Sequence, residues 1–137
     1  MFRFFGAPIS WSSKKQSVIA LSSCEAEYIA GSSATCQAFW LDELLKALQI
    51  EVEKPLKLFV DNVSAISLAK NPVSHGRSKH IEVRFHFLRE QVHKGRLELK
   101  YCSTEEQVAD AFTKALRVDR FDKMRKELSV VSLRSLN

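Results

Sequence analysis

Apolar and polar positions alternate in two different rhythms along this chain, and the changes of rhythm mark its elements. Phe2, Phe4 and Phe5 are strand formers, Gly6-Ala7-Pro8 reads as a turn, and Ile9-Ser10-Trp11 resumes an extended pattern. A polar stretch carrying Lys14 and Lys15 follows, and Val18-Ile19-Ala20-Leu21 reads as a further strand-like run. From Ser22 the period changes. Ala26, Ile29, Ala30, Ala34, Trp40, Leu41, Leu44, Leu45 and Leu48 recur at spacings of three and four, which predicts one long helix over 22–49 with that stripe buried. Gly31 is its weak point. Pro55 opens the compact β run Leu56–Val60, expected as an interior strand, and a short helix over 64–70 ends at Asn71-Pro72. A loop over 73–78 leads to a helix over 79–94 that buries Ile81, Phe85, Leu88 and Val92 and stops at Gly95. Leu97–Tyr101 alternates as an edge strand, a helix is expected over 105–116 burying Val108, Phe112 and Leu116, and a charged helix over 119–128 precedes a loose tail.

The helix starts carry the first chemistry. Ser22 and Glu25 fit a capping box, in which the serine oxygen accepts the N3 amide and the glutamate reaches back to the N-cap amide. Glu27 lies about 200° from Glu25 around the helix, so capping does not account for it. It is either a solvated charge favoured by the helix dipole or a ligand. Asp61 ends the Leu56–Val60 strand just before a helix. Open α/β sheets place ligands and chemistry there, and a helix N-cap is the alternative. Asp110 sits inside the expected 105–116 helix, where aspartate is disfavoured by propensity, and Ser103-x-x-Glu106 or Thr104-x-x-Gln107 supplies that helix with a capping box. Converging carboxylates repel unless a cation neutralises them, and hard divalent cations take oxygen ligands.

Composition narrows the classes. The 137 residues make one domain's worth of chain with an ordinary globular composition, 45% hydrophobic and 27% charged. The net charge of +5 permits a polyanionic partner. Eight lysines and arginines against three glutamates lie between Lys70 and Lys100, and all four histidines lie there too. That region reads as a solvated basic face suited to phosphates rather than a zinc cluster. Cys24, Cys36 and Cys102 have no metal or disulfide spacing and read as free thiols in a reducing compartment. No apolar run approaches the ~20 residues of a membrane span, and no signal peptide is evident.

Several stretches in order carry a resemblance: Ile9-Ser10-Trp11-Ser12-Ser13-Lys14-Lys15-Gln16, Leu21-Ser22-Ser23-Cys24-Glu25-Ala26-Glu27-Tyr28-Ile29-Ala30, Val60-Asp61-Asn62, Ser78-Lys79-His80-Ile81 with His86-Phe87, and Ser103 through Lys114. Together they resemble the ribonuclease H domain at the C-terminal end of the Pol polyprotein of Ty1/Copia-type LTR retrotransposons, over roughly residues 8–116. The resemblance implies an α/β, ribonuclease H-like mixed sheet flanked by helices, here lacking the first strand, over 1–116, with a C-terminal helix and tail over 117–137. It implies Mg²⁺-dependent hydrolysis of the RNA strand of RNA–DNA hybrids, with Glu27, Asp61 and Asp110 as catalytic residues and metal ligands. It also implies that Arg77, Lys79, Arg84 and Lys94 contact nucleic acid. The family's first catalytic aspartate lies on an opening strand upstream of the matching stretches, and residues 1–7 hold no acidic residue. No histidine stands at the approach to Asp110, where Tyr101 and Cys102 lie. A truncated copy with impaired hydrolysis is therefore expected, the alternative being a catalytically dead nucleic-acid-binding or interaction remnant. The implied partners are a hybrid duplex and, in an intact element, the reverse transcriptase and integrase regions, with no membrane. The implied location is intracellular, in a cytoplasmic virus-like particle or the nucleus.

Overall fold

A computed structural model describes residues 1–71 and 79–131, with the side chains of 79–85 left out. The chain is mixed α/β, consistent with a ribonuclease H-like α/β fold. It divides into two compact units, residues 16–102 and a second made of 1–15 with 103–137.

In the larger unit, α1 (Ser23–Ala47) is followed by β3 (Leu56–Val60), α2 (Val63–Lys70), α3 (Lys79–His93) and β4 (Leu97–Tyr101). β3 and β4 pair in parallel, Leu56 opposite Leu97 through Val60 opposite Tyr101. The Cys102 amide extends the ladder by donating to the Val60 carbonyl at 3.1 Å. A parallel pair needs a long crossover, and α2 and α3 supply it. Alternate residues point inward: Leu58 and Val60 on β3, Leu97 and Leu99 on β4. They meet Tyr28 of α1, Ala65, Ile66 and Ala69 of α2, and Leu88 of α3 to form one apolar core. Gly95 ends α3 in the left-handed region at φ +64°, as the sequence predicts.

Three expectations fail in this unit. Leu56–Val60 is not an interior strand: among the described residues it pairs with β4 alone, and Lys57 and Phe59 are exposed. Val18–Leu21 is not a strand; Ile19 and Leu21 are exposed and the run has no paired neighbour among the described residues. The buried face of α1 is also rotated from the expected stripe. Tyr28, Ile29, Ser32, Thr35 and Asp42 are buried, whereas Ala30, Trp40, Leu44 and Leu48 are exposed. α1 packs against α3, and the buried Thr35 hydroxyl is satisfied within its own helix by donating to the Gly31 carbonyl at 2.8 Å. Asp42 survives burial because Lys54 donates to it and Lys46 lies 3.1 Å away. Burial disfavours its charged form, but the two ammonium groups outweigh that and hold its carboxyl below the usual range.

The smaller unit opens with an antiparallel hairpin of β1 (Phe2–Phe4) and β2 (Ala7–Ser10). The turn lies one residue earlier than Gly6-Ala7-Pro8. Phe5 and Gly6 both take positive φ, 47° and 82°, as a two-residue hairpin turn requires, and Pro8 sits within the strand. The expected helix over 105–116 is instead two 3₁₀ segments, Thr104–Glu106 and Val108–Phe112, and neither has a side-chain cap bond. α4 (Val118–Glu127) follows as expected. The first residues of the tail are tied down, since the Val130 carbonyl accepts from the Arg125 guanidinium at 3.0 Å. Positions 132–137 lie outside the described residues.

Candidate functional site

The start of α1 is built as its sequence demands. Ser22 is the N-cap, its hydroxyl accepting from the Glu25 amide at 3.1 Å, and the Glu25 carboxylate accepts from the Leu21 amide at 2.6 Å. The reach-back goes one residue further than a standard capping box, to Leu21 rather than Ser22. Glu25 is thereby consumed by capping, and Glu27 is not. Glu27 lines a small pocket with Tyr28, Gly31, Leu58, Val60, Ala65, Leu88 and Leu99. That pocket adjoins the carboxyl end of β3, where Asp61 directly follows Val60. Asp61 is not the cap of α2 either. Asn62 does that work, its side-chain oxygen accepting from the Ala65 amide at 3.0 Å. So Glu27 and Asp61 fall in one unit, and Asp61 directly follows a parallel strand, where α/β sheets place their chemistry.

Tyr28, next to Glu27, is buried in the core with Arg89 beside its hydroxyl. Burial pushes its phenol up, and the Arg89 guanidinium opposes that. Burial also pushes the Cys24 thiol up, with Glu25 adding to it, which makes Cys24 a poor nucleophile. All three cysteines are free thiols.

Asp110 belongs to the smaller unit and is 4% exposed. Both of its carboxylate oxygens meet cations of the chain itself. Lys114 Nζ lies 2.9 Å from Oδ1, and the Arg120 guanidinium donates to Oδ2 at 2.8 Å. Arg120 also donates to the Thr104 carbonyl and approaches Glu105 at 3.6 Å. In place of the expected α-helix the Thr104 carbonyl accepts from the Gln107 amide at 3.4 Å as well as from the Arg120 guanidinium, and the Asp110 carbonyl accepts from the Thr113 and Lys114 amides at 3.0 and 2.9 Å. Lys114 stands four residues from Asp110 and was legible as a helical ion-pair spacing. Arg120, ten residues away on α4, gave no local signal.

The basic face is described in part. Arg77 lies outside the described residues, and Lys79 and Arg84 lie on α3 with side chains outside them. Lys94 is exposed but paired, 2.5 Å from Glu90, whose carboxyl it holds below the usual range. His86 and His93 are exposed, and His93 Nδ1 lies 3.2 Å from the Arg89 carbonyl.

Mg²⁺ is the ion implied by the resemblance. The carboxylates of Glu27 and Asp61 are the hard oxygen donors that it takes. Asp110 does not fit the set in this arrangement, because a cation would have to displace both Lys114 and Arg120. Among the described residues, no group of three or more His, Cys, Asp or Glu side chains is gathered to hold a metal ion.

Comparison with known proteins shows what the sequence is similar to. No family model matches the chain, and no solved structure matches it. It is 40% identical over 126 residues to the retrovirus-related Pol polyprotein from transposon RE2 of Arabidopsis thaliana, and 42% identical over 123 residues to that from transposon RE1 of the same plant. It is 41% identical over 122 residues to the retrovirus-related Pol polyprotein from transposon TNT 1-94 of Nicotiana tabacum. These matches cover 89–92% of the chain but only 8–9% of each relative. Among the described residues no helix is long and apolar enough to cross a membrane. The chain is thus homologous, over about nine-tenths of its length, to a short segment of the Pol polyproteins of plant retrotransposons.

Proposed function

We propose that this chain is a ribonuclease H-type segment of a Copia-type Pol polyprotein that binds RNA–DNA hybrids and does not hydrolyse them by itself. The observation that carries the reading is the placement of Glu27 and Asp61. Neither is used as a helix cap; Asp61 directly follows β3, and Glu27 lines a pocket with Val60, the last residue of that strand. The basic stretch around α3 supplies charge for a phosphate backbone, so the duplex is recognised by its shape and backbone rather than by base sequence. Hydrolysis by the family's reaction asks for Asp110 as a third carboxylate, and that group is neutralised by Lys114 and Arg120. A set reduced to Glu27 and Asp61 supports binding better than turnover, since loss of one member of a catalytic unit removes most of the rate. In an intact element, the reverse transcriptase and integrase regions are its neighbours, inside the cell.

The test is incubation of a labelled RNA–DNA hybrid with the purified chain and Mg²⁺ or Mn²⁺, alongside Glu27→Gln and Asp61→Asn. The reading expects a salt-sensitive complex with the RNA strand left intact. Cleavage abolished by either substitution would restore the full enzyme, and folded protein with no affinity at low salt would leave only the ancestry.

A further inference from the structure

Trp11 and the two lysines after it stand outside every site described so far. The indole stacks nearly parallel on the Phe112 ring, with centroids 5.3 Å apart and planes inclined by 21°. Two residues on, the Ser13 hydroxyl donates to the Phe112 carbonyl at 2.8 Å. A segment that has no regular secondary structure is therefore pinned at two points to the Val108–Phe112 turn. Yet Trp11 remains 55% exposed. One face of the indole is spent on Phe112 and much of the rest stays in water, an expensive arrangement for the largest aromatic side chain unless something stacks on it. Lys14 and Lys15 are exposed, and no carboxylate pairs with either among the described residues. Most other lysines of the described chain are compensated, as Lys46, Lys54, Lys57, Lys94, Lys100 and Lys114 are.

We propose that Trp11, backed by Phe112 and flanked by Lys14 and Lys15, is a stacking platform for an unpaired nucleobase whose adjoining phosphates are met by the two lysines. An immobilised aromatic face next to uncompensated ammonium groups is the combination that binds single-stranded nucleic acid without regard to sequence, because every base has a π-face. A base inside a duplex is already stacked on its neighbours and cannot use it. The site therefore takes a single-stranded stretch, such as an overhang beside the hybrid. This inference rests on the reading that the chain binds nucleic acid, and it adds a preference that the basic face around α3 does not account for.

The experiment compares a blunt RNA–DNA hybrid with the same hybrid carrying a single-stranded extension, with affinity read from the anisotropy of a labelled hybrid and stacking read from fluorescence in a Trp40→Phe background that leaves Trp11 as the only tryptophan. The extended hybrid is expected to quench Trp11 and to bind several-fold more tightly than the blunt one. Trp11→Ala should lower affinity for the extended hybrid about tenfold and abolish the preference. Lys14→Gln/Lys15→Gln, both on the surface, should lower the salt dependence of binding by about 1 to 2 in the log–log slope without disturbing the fold. Binding of both hybrids that is equal, unquenched and indifferent to Trp11→Ala and to the lysine pair would overturn the platform and leave the hybrid-binding reading standing. Absence of binding to either hybrid would overturn both.

Discussion

Replacing Asp110 by Asn separates two roles that this carboxylate can hold. If it is a metal ligand kept apart from its cation, it is repelled by neighbouring carboxylates and its neutralisation relieves strain, so the variant is more stable than the parent without metal. If it is the hub of the ion pairs seen here, the variant is less stable. The magnitude follows from exposure. The Asp110 side chain is 6% exposed, Arg120 19% and Lys114 52%. The half-exposed Lys114 pair resembles a surface ion pair, worth about 0.5 kcal/mol. The Arg120 pair is largely out of water, where removing one partner costs up to about 3–5 kcal/mol. Arg120 keeps the Thr104 carbonyl and a distant Glu105, and asparagine keeps one acceptor, so roughly 2 kcal/mol is expected. Urea unfolding in EDTA measures it, with Trp11 reporting because it stacks on Phe112 in the same unit. Arg120→Gln should cost a similar amount, and the double variant should cost clearly less than the sum. An Asp110→Asn variant as stable as the parent, or more so, would refute the ion-pair account.

Three further outcomes follow from the same geometry. Ser22→Ala removes the acceptor of the Glu25 amide and should destabilise the chain by about 1 kcal/mol in urea titrations. Gly31→Ala should be stabilising by roughly 0.5–1 kcal/mol, because among the described residues a new Cβ would meet only Leu88 Cδ2, at 3.9 Å, while the α1 interior gains helix propensity. Asp42 titrates below its unfolded value, so the stability it contributes is present above the ordinary aspartate range and is lost as pH falls through the folded value. Acid unfolding followed by circular dichroism should therefore show Asp42→Asn with a shallower loss of stability below about pH 4 than the parent.

Much of the fold was legible where local rules acted alone. The Ser22–Glu25 cap, the Leu56–Val60 strand ending at Asp61, the Gly95 stop and the alternation of Leu97–Tyr101 each need only a few adjacent residues, and each is present. Local reading failed where distant partners decided. Arg120 reaches Asp110 and Thr104 from α4, and no local pattern around Asp110 foretells that pairing. The α1 stripe misled for a different reason. Counting apolar residues favours Trp40, Leu44 and Leu48, whereas the face that is buried carries the smaller Ser32 and Thr35 beside Tyr28 and Ile29. Asp42 escaped notice because its compensation comes partly from Lys54, twelve residues on. At the site itself, the sequence separated Glu27 from the capping Glu25 correctly, but left Asp61 between cap and ligand until Asn62 was seen to hold the cap.

The most direct test of the central claim is retention of a labelled RNA–DNA hybrid by the full chain across a salt series with Mg²⁺ present, with the RNA strand examined afterwards for breaks. The account predicts a complex whose affinity falls steeply with salt and RNA that stays whole. RNA cleaved in a manner abolished by Asp61→Asn, or folded protein that leaves the hybrid unbound even at low salt, would contradict it.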